Sequence, residues 1–169
     1  MKPADQRITL QNTNNGVYTG KLYMGTGRVG LNMVWDTYYD WTLAKSSAYS
    51  TSTSVTYTKF NDITLTYLYD GTKITGSSGK DTVCATSSAL TCATNFVWVG
   101  VTSWTHVEAD GVVGLSPVRM QTGAVLLLDD LYTQNLISSK VFGFMLDVLP
   151  NPSYLDIGEL RTAWSLGTG

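Results

Sequence analysis

The apolar run Leu31-Asn32-Met33-Val34-Trp35 leads into Asp36-Thr37-Tyr38-Tyr39, setting a carboxylate at the mouth of a loop directly after a strand-like segment. Hydrolysis of an amide by carboxylates needs two of them close enough to share one proton, so that one acts as base and the other as acid. The chain offers one such group, Asp36, and carries no second copy of the stretch. His106 is the only histidine, which rules out a histidine cluster or a histidine-rich metal site built from one chain. Gly76-Ser77-Ser78-Gly79 is glycine-rich, but no Gly-Lys-Ser/Thr follows to cradle a phosphate. No metal and no cofactor is expected.

Composition narrows the field further. The 169 residues suit one domain, residues 1–169, with enough chain to bury a core. Charged residues make up 14%, well below the usual share of about 25%, and Thr, Ser, Gly and Tyr take their place. A net charge of −2 gives no electrostatic footprint for nucleic acid. No apolar run reaches the ~20 residues of a membrane helix, so no membrane span is expected. The opening Met1-Lys2-Pro3-Ala4 begins a polar segment without the apolar core of a signal peptide. Cys84 and Cys92, the only cysteines, flank a turn-like Ala85–Thr91. A hairpin-closing disulfide between them is expected, which would point to an oxidising compartment; the alternative is two buried thiols.

The elements that must position Asp36 are β-strands. Short β-rich runs alternate with Gly, Asn, Asp and Ser punctuation throughout, which predicts an all-β domain with one or two short helices. Strands are expected over Arg7–Gln11, Val17–Tyr23, Gly30–Asp36, Ser54–Lys59, Ile63–Leu68, Lys73–Ala85, Ala93–Val101, Gly111–Leu115 and Val141–Val148. Asn14-Asn15-Gly16 signals a tight hairpin and Gly25-Thr26-Gly27 another turn. Ser46–Ser54 reads as an exposed loop. Ala124–Gln134 sets Leu127, Leu128 and Leu131 on one helical face, with Asp129 and Asp130 on a solvated one.

Five pieces, taken in order, resemble the amino-terminal lobe of a pepsin-like aspartic protease. Gly20-Lys21-Leu22-Tyr23-Met24-Gly25-Thr26 is similar to that family's first hairpin, and Met33-Val34-Trp35-Asp36-Thr37 to the strand entering its Asp-Thr-Gly loop. Tyr69–Val83 resembles the flap hairpin and its return strand. Ala109-Asp110-Gly111-Val112-Val113-Gly114-Leu115 resembles the strand that threads under the catalytic loop. Leu128–Ile137, with Val141–Leu146 after it, resembles the helix and strand that follow. The resemblance implies a single lobe, a half-barrel of antiparallel strands with a flap hairpin, ending near Ser153–Gly158. It also suggests a secretory, vacuolar or extracellular setting.

The same resemblance assigns roles. Asp36 stands at the catalytic aspartate, and without a partner carboxylate it is expected to be vestigial. Thr37 stands at the threonine that braces the loop. Tyr38 replaces the loop glycine, and any Cβ there obstructs close approach of the backbone to substrate. Tyr39 replaces a small hydroxyl residue. Tyr69 stands at the flap tyrosine or is an ordinary cross-strand aromatic, and Gly71 and Thr72 follow it at the flap turn. Tyr38, Tyr39, Tyr69, Gly71 and Thr72 are therefore the candidate peptide contacts, and Tyr38, Tyr39 and Tyr49 a candidate tyrosine recognition surface.

Three readings follow. The first is an inactive lobe serving as a binding or assembly module for a protein or peptide partner. The second is an active endopeptidase that completes its aspartate pair with a second lobe or by homodimerisation. The third is an unrelated β-sandwich, which would not pass Val112–Leu115 beneath the Asp36 loop.

Overall fold

A computed structural model of the chain describes residues 6–13, 16–66, 71–104, 109–147 and 152–159. Ten strands form one sheet: β1 (Gln6–Thr13), β2 (Val17–Met24), β3 (Val29–Asp36), β4 (Leu43–Lys45), β5 (Thr58–Thr66), β6 (Lys73–Cys84), β7 (Cys92–Ser103), β8 (Gly111–Gly114), β9 (Phe142–Met145) and β10 (Ser153–Ile157). Their order is β5-β6-β7-β4-β8-β3-β2-β1-β10-β9, and β6 also pairs with the end of β2 at Tyr23↔Cys84 and Met24↔Val83. That second pairing curls the sheet onto itself around a core containing Leu22, Met24, Met33, Phe96 and Trp98. The only α-helix among the described residues, α1 (Leu127–Thr133), buries Leu127 and Leu131 against this core. Single 3-10 turns occupy Thr51–Thr53 and Ala89–Thr91.

The strand-rich fold agrees with the sequence expectation, with several corrections. The lobe is not wholly antiparallel, because β3 runs parallel to β8 and β4 parallel to β7. The two strands expected at Ser54–Lys59 and Ile63–Leu68 are one strand, Thr58–Thr66, whose register shifts between Lys59 and Asp62. An irregularity of that kind interrupts the side-chain alternation, which is why one strand reads as two. The helix starts at Leu127, since Leu126 is still extended with ψ 127°. Strand β9 is shorter than the expected Val141–Val148, and Val148 lies outside the described residues. Strands β4 and β10 are additional. Ser153–Ile157, expected only as the place where the lobe ends, is a strand of the sheet between β1 and β9.

Several contacts lock this arrangement. Arg7 and Asp156 face each other across β1 and β10, with Nε–Oδ1 at 2.7 Å and a second N–O contact at 2.8 Å. The Arg7 guanidinium also lies 4.5 Å from the centre of the Tyr154 ring. A two-pronged pair beside a buried carboxylate is far more specific than a single surface contact. Cys84 and Cys92 form a disulfide directly across the β6–β7 ladder. Two glycines let β8 pass between β3 and β4. A Cβ on Gly111 would stand 2.0 Å from the Leu43 carbonyl oxygen, and one on Gly114 would stand 2.5 Å from that of Tyr39.

Two stability predictions follow from these contacts. Replacing both cysteines by alanine removes a closed loop of eight residues' separation, and is expected to cost about 2.5 kcal/mol in urea unfolding. Gly114→Ala meets backbone carbonyls that cannot move aside, so it is expected to cost about 3 kcal/mol or more. Gly27→Ala, which meets nothing within 4 Å, is the control and is expected to leave the unfolding midpoint nearly unchanged.

Candidate active-site loop

Asp36 ends β3, where it pairs with Gly114 of the parallel strand β8. Its carbonyl accepts a hydrogen bond from Leu115 N–H at 2.8 Å. The chain then crosses over the end of β8 as residues 37–42 and returns antiparallel on the other side as β4, with Leu43 opposite Val112. Ser116 N–H donates to the Tyr39 carbonyl at 3.1 Å and pins the crossing. Val112–Leu115 thus does run beneath the Asp36 loop, which excludes the unrelated sandwich. Asp110, just before β8, holds both neighbours: its Oδ2 accepts from Asn32 N–H, and its carbonyl from Lys45 N–H, each at 2.8 Å.

Within the loop, the Asp36 Oδ1 accepts the Tyr38 N–H at 2.8 Å, an aspartate turn spanning two residues. This is the carboxylate's hydrogen bond among the described residues, and the side chain is half-buried. Thr37 is exposed. Tyr38 is not among the described residues with positive φ, so its backbone suits an L side chain. The Tyr38 and Tyr39 rings meet edge-on at 5.5 Å, and Tyr39 meets Trp104 at 6.1 Å. Both tyrosines pack against a second core cluster of Trp41, Leu43, Leu65, Ile74, Val99, Val101 and Ala124. The loop and the β5–β6 hairpin, which supplies Leu65 and Ile74, therefore share one apolar support.

The other expected site residues fall differently. Gly71 is exposed with φ +70°, as a turn residue should be, and Thr72 is half-buried. Tyr69 lies outside the described residues, as does His106. Tyr49 is no part of a recognition surface, being only 3% exposed. Its ring packs on Trp98, and its hydroxyl donates to the buried Asp81 carboxylate at 2.7 Å. Ser54, Thr56 and the Thr82 N–H donate to the same carboxylate. The Ser/Thr-rich run around Tyr49 thus supplies donors to a buried charge. Asp130 is likewise half-buried rather than solvated. Burial pushes its carboxyl above the ordinary range, and the Gln134 amide donating at 2.9 Å offsets part of that.

Asp40 was missed from the sequence. It is 1% exposed, and its Oδ2 accepts the N–H groups of Met120 at 2.6 Å and Gln121 at 2.7 Å. The available signal was a lone acid amid Tyr38, Tyr39, Trp41 and Leu43, a setting where a charge must find donors. Next to it, Trp41 Nε1 and Thr42 Oγ1 are buried without a hydrogen-bond partner. Each such group costs on the order of 1–3 kcal/mol, so this corner is held by its packing and by Asp40 rather than by full polar satisfaction.

The threaded strand beneath an aspartate loop, beside a hairpin, decides the assignment. The model of the family described as eukaryotic aspartyl protease matches residues 17–160. The chain belongs to that family. No curated protein matches it. Membership covers all the strands from β2 to β10, so it rests on the architecture as a whole and not on the aspartate loop alone. The family and the disulfide are together consistent with a secretory or extracellular location. No helix among the described residues is long and apolar enough to cross a membrane. No group of three or more His, Cys, Asp or Glu side chains gathers among them to hold a metal.

The buried tyrosine generates a pH prediction. Burial, and then donation to Asp81, push the Tyr49 phenol above its ordinary value of 10.0. Below that value folded and unfolded chains both keep the proton, and the contribution is constant. Above it the unfolded chain releases the proton first, so stability falls as pH rises, by up to about 1.4 kcal/mol per pH unit. Tyr49→Phe is expected to flatten the slope of urea stability between about pH 10 and 11.5. At neutral pH it is expected to cost about 1.5–3 kcal/mol, because Asp81 loses a donor. Tyr57, pushed up by burial, leaves a residual slope.

Proposed function

We propose that the chain is a single aspartyl-protease lobe, residues 1–169, that binds an extended peptide or a protein partner without cleaving it. The observation that carries this reading is Tyr38. In the family a glycine at this position lets the loop approach substrate closely, whereas here a phenol ring occupies it and packs with Tyr39 on the cluster beneath the hairpin. The Asp36 carboxylate is engaged by the Tyr38 N–H, and the loop's other acid, Asp40, is turned to the Met120 and Gln121 N–H groups. A lone carboxylate without a partner to share its proton lacks the acid–base pair that amide hydrolysis requires. Asp36 is vestigial in this reading and Thr37 keeps a bracing role.

What remains is a binding surface. The loop, with Tyr38 and Tyr39, and the β5–β6 hairpin, with Gly71 and Thr72, bound the two sides, and Tyr69 is the further contact expected from the sequence. The edge strand β5 offers backbone groups for strand addition by an extended segment. A partner protein could equally use the surface for assembly. The compartment would be secretory, vacuolar or extracellular.

A second reading keeps the activity. Asp36 is only half-buried and Thr37 is exposed, so the loop is open to a partner surface. A second lobe, or a second copy of this chain, would bring in the other carboxylate. One aspartate would then deprotonate water for attack on the peptide carbonyl, while the other protonates the developing oxyanion. In a symmetric dimer two Tyr38 rings must also be accommodated, and this disfavours the homodimeric form.

Cleavage of an unfolded protein substrate between pH 3 and 6 separates the two readings. No turnover above background is expected, and none that differs between the wild type and Asp36→Asn. Cleavage lost in Asp36→Asn would overturn the inactive reading. For binding, peptides enriched on the folded chain from a displayed library are expected to lose at least tenfold in affinity to Tyr38→Ala. A library that enriches nothing would sink the peptide-groove reading.

A further inference from the structure

Asp40 is a buried carboxylate that neither reading uses, and its partners belong to a different part of the chain. It sits in the crossing loop, four residues after Asp36. Its Oδ2 takes the N–H groups of Met120 and Gln121, eighty positions further on. The Gln121 side chain then reaches a third element, donating from Nε2 to the Thr66 carbonyl at 2.8 Å where β5 ends. Thr66 pairs with Lys73 of β6, so this carbonyl lies on the hairpin itself. The chain of contacts runs from the Asp36 loop through Asp40, the 120–121 backbone and Gln121 to the hairpin.

The rest of the segment is held at its other end. Ser116 N–H is bonded to the Tyr39 carbonyl, and Ser116 Oγ both donates to the Val118 carbonyl at 2.8 Å and accepts from Val118 N–H at 3.3 Å. Val118 and Met120 are 60% and 44% exposed, so the segment has little apolar burial of its own to fix it. A charged acceptor shared by two adjacent N–H groups is then its main constraint, and such bonds are stronger than neutral ones.

We propose that Asp40 is a positioning residue that couples the Asp36 loop to the β5–β6 hairpin. Moving the hairpin strand away from Gln121 loosens the segment that Asp40 holds, and releasing Asp40 frees the end of β5. The proposal rests on the groove reading only in that a ligand gripping the hairpin would be felt at the Asp36 loop. The coupling itself is testable without any ligand.

Amide hydrogen exchange on the folded chain is the measurement. Asp40→Ala is expected to speed exchange at Met120 and Gln121, and also at Leu65 and Thr66, by tenfold or more. The β1–β10 ladder around Ile8 and Leu155 should stay at the wild-type rate. Asp40→Asn keeps an acceptor oxygen in place and is expected to restore most of the protection. Gln121→Ala cuts the same link from the hairpin side, so it is expected to speed exchange at Met120 as well as at Leu65 and Thr66, and it carries the test if Asp40→Ala does not fold. Fast exchange confined to Met120 and Gln121 would overturn the proposal, as would equal acceleration everywhere. A wild type that binds no displayed peptide yet shows the coupled exchange would refute the groove and leave the positioning role standing.

Discussion

Strand β8 running between β3 and β4 is the constraint on which the rest of the fold depends. It is a four-residue strand with every residue buried, parallel to one neighbour and antiparallel to the other. Such a short strand buried on both edges has little room for side chains at its ends. Gly111 and Gly114 are the positions where the Leu43 and Tyr39 carbonyls come closest. The crossing loop exists because the chain must leave β3, pass over β8 and rejoin it from the other side. Asp36 is therefore placed by topology: it is the last residue that pairs with β8 before the crossing begins.

The same topology explains why the buried carboxylates sit where they do. Irregular segments beside the crossing loop leave backbone N–H groups with no ladder to join, and carboxylates, Asp40 buried and Asp110 half-buried, accept from them. Asp40 answers that need for Met120 and Gln121, and Asp110 for Asn32. Asp81 does the same on the other side, where the Tyr49–Thr56 segment lies on β6 and its hydroxyls have no strand partner. These acids hold irregular backbone against a regular sheet. In a chain so poor in charge, several acids, Asp36, Asp40, Asp81 and Asp110 among them, serve as internal acceptors.

Local signals made most of the sheet legible. Alternation and glycine turns located eight of the ten described strands, and the threading was implied by the resemblance of Ala109–Leu115 to a pepsin-like strand. What stayed hidden was set by contacts distant in sequence. Leu43–Lys45 is too short to alternate, and it becomes a strand only because β7 and β8 lie on either side of it. Ser153–Ile157 follows a proline-bounded stretch and reads as an ending until β1 pairs with it. Tyr49 looked exposed because its neighbours are serines and threonines, yet those hydroxyls are there to meet Asp81. The disulfide was legible from the turn-like stretch between Cys84 and Cys92, and the ladder that sets them opposite each other bears it out.

The loop itself marks the point where fold and chemistry part. A β-strand, a crossing and a threaded partner need an acceptor at the corner, and Asp36 supplies one by holding the Tyr38 N–H. That structural role needs no catalysis, because it uses one carboxylate and a backbone amide and nothing else. Glycine at position 38 is required only by the approach of a substrate, since the backbone there needs no positive φ. A side chain can therefore enter without disturbing the corner, and an aromatic one gains the apolar surface of Leu65, Ile74 and Trp41 as its support. Under the proposed inactive reading, folding constraints alone permit the loop to keep Asp36 at the corner and carry a side chain at position 38.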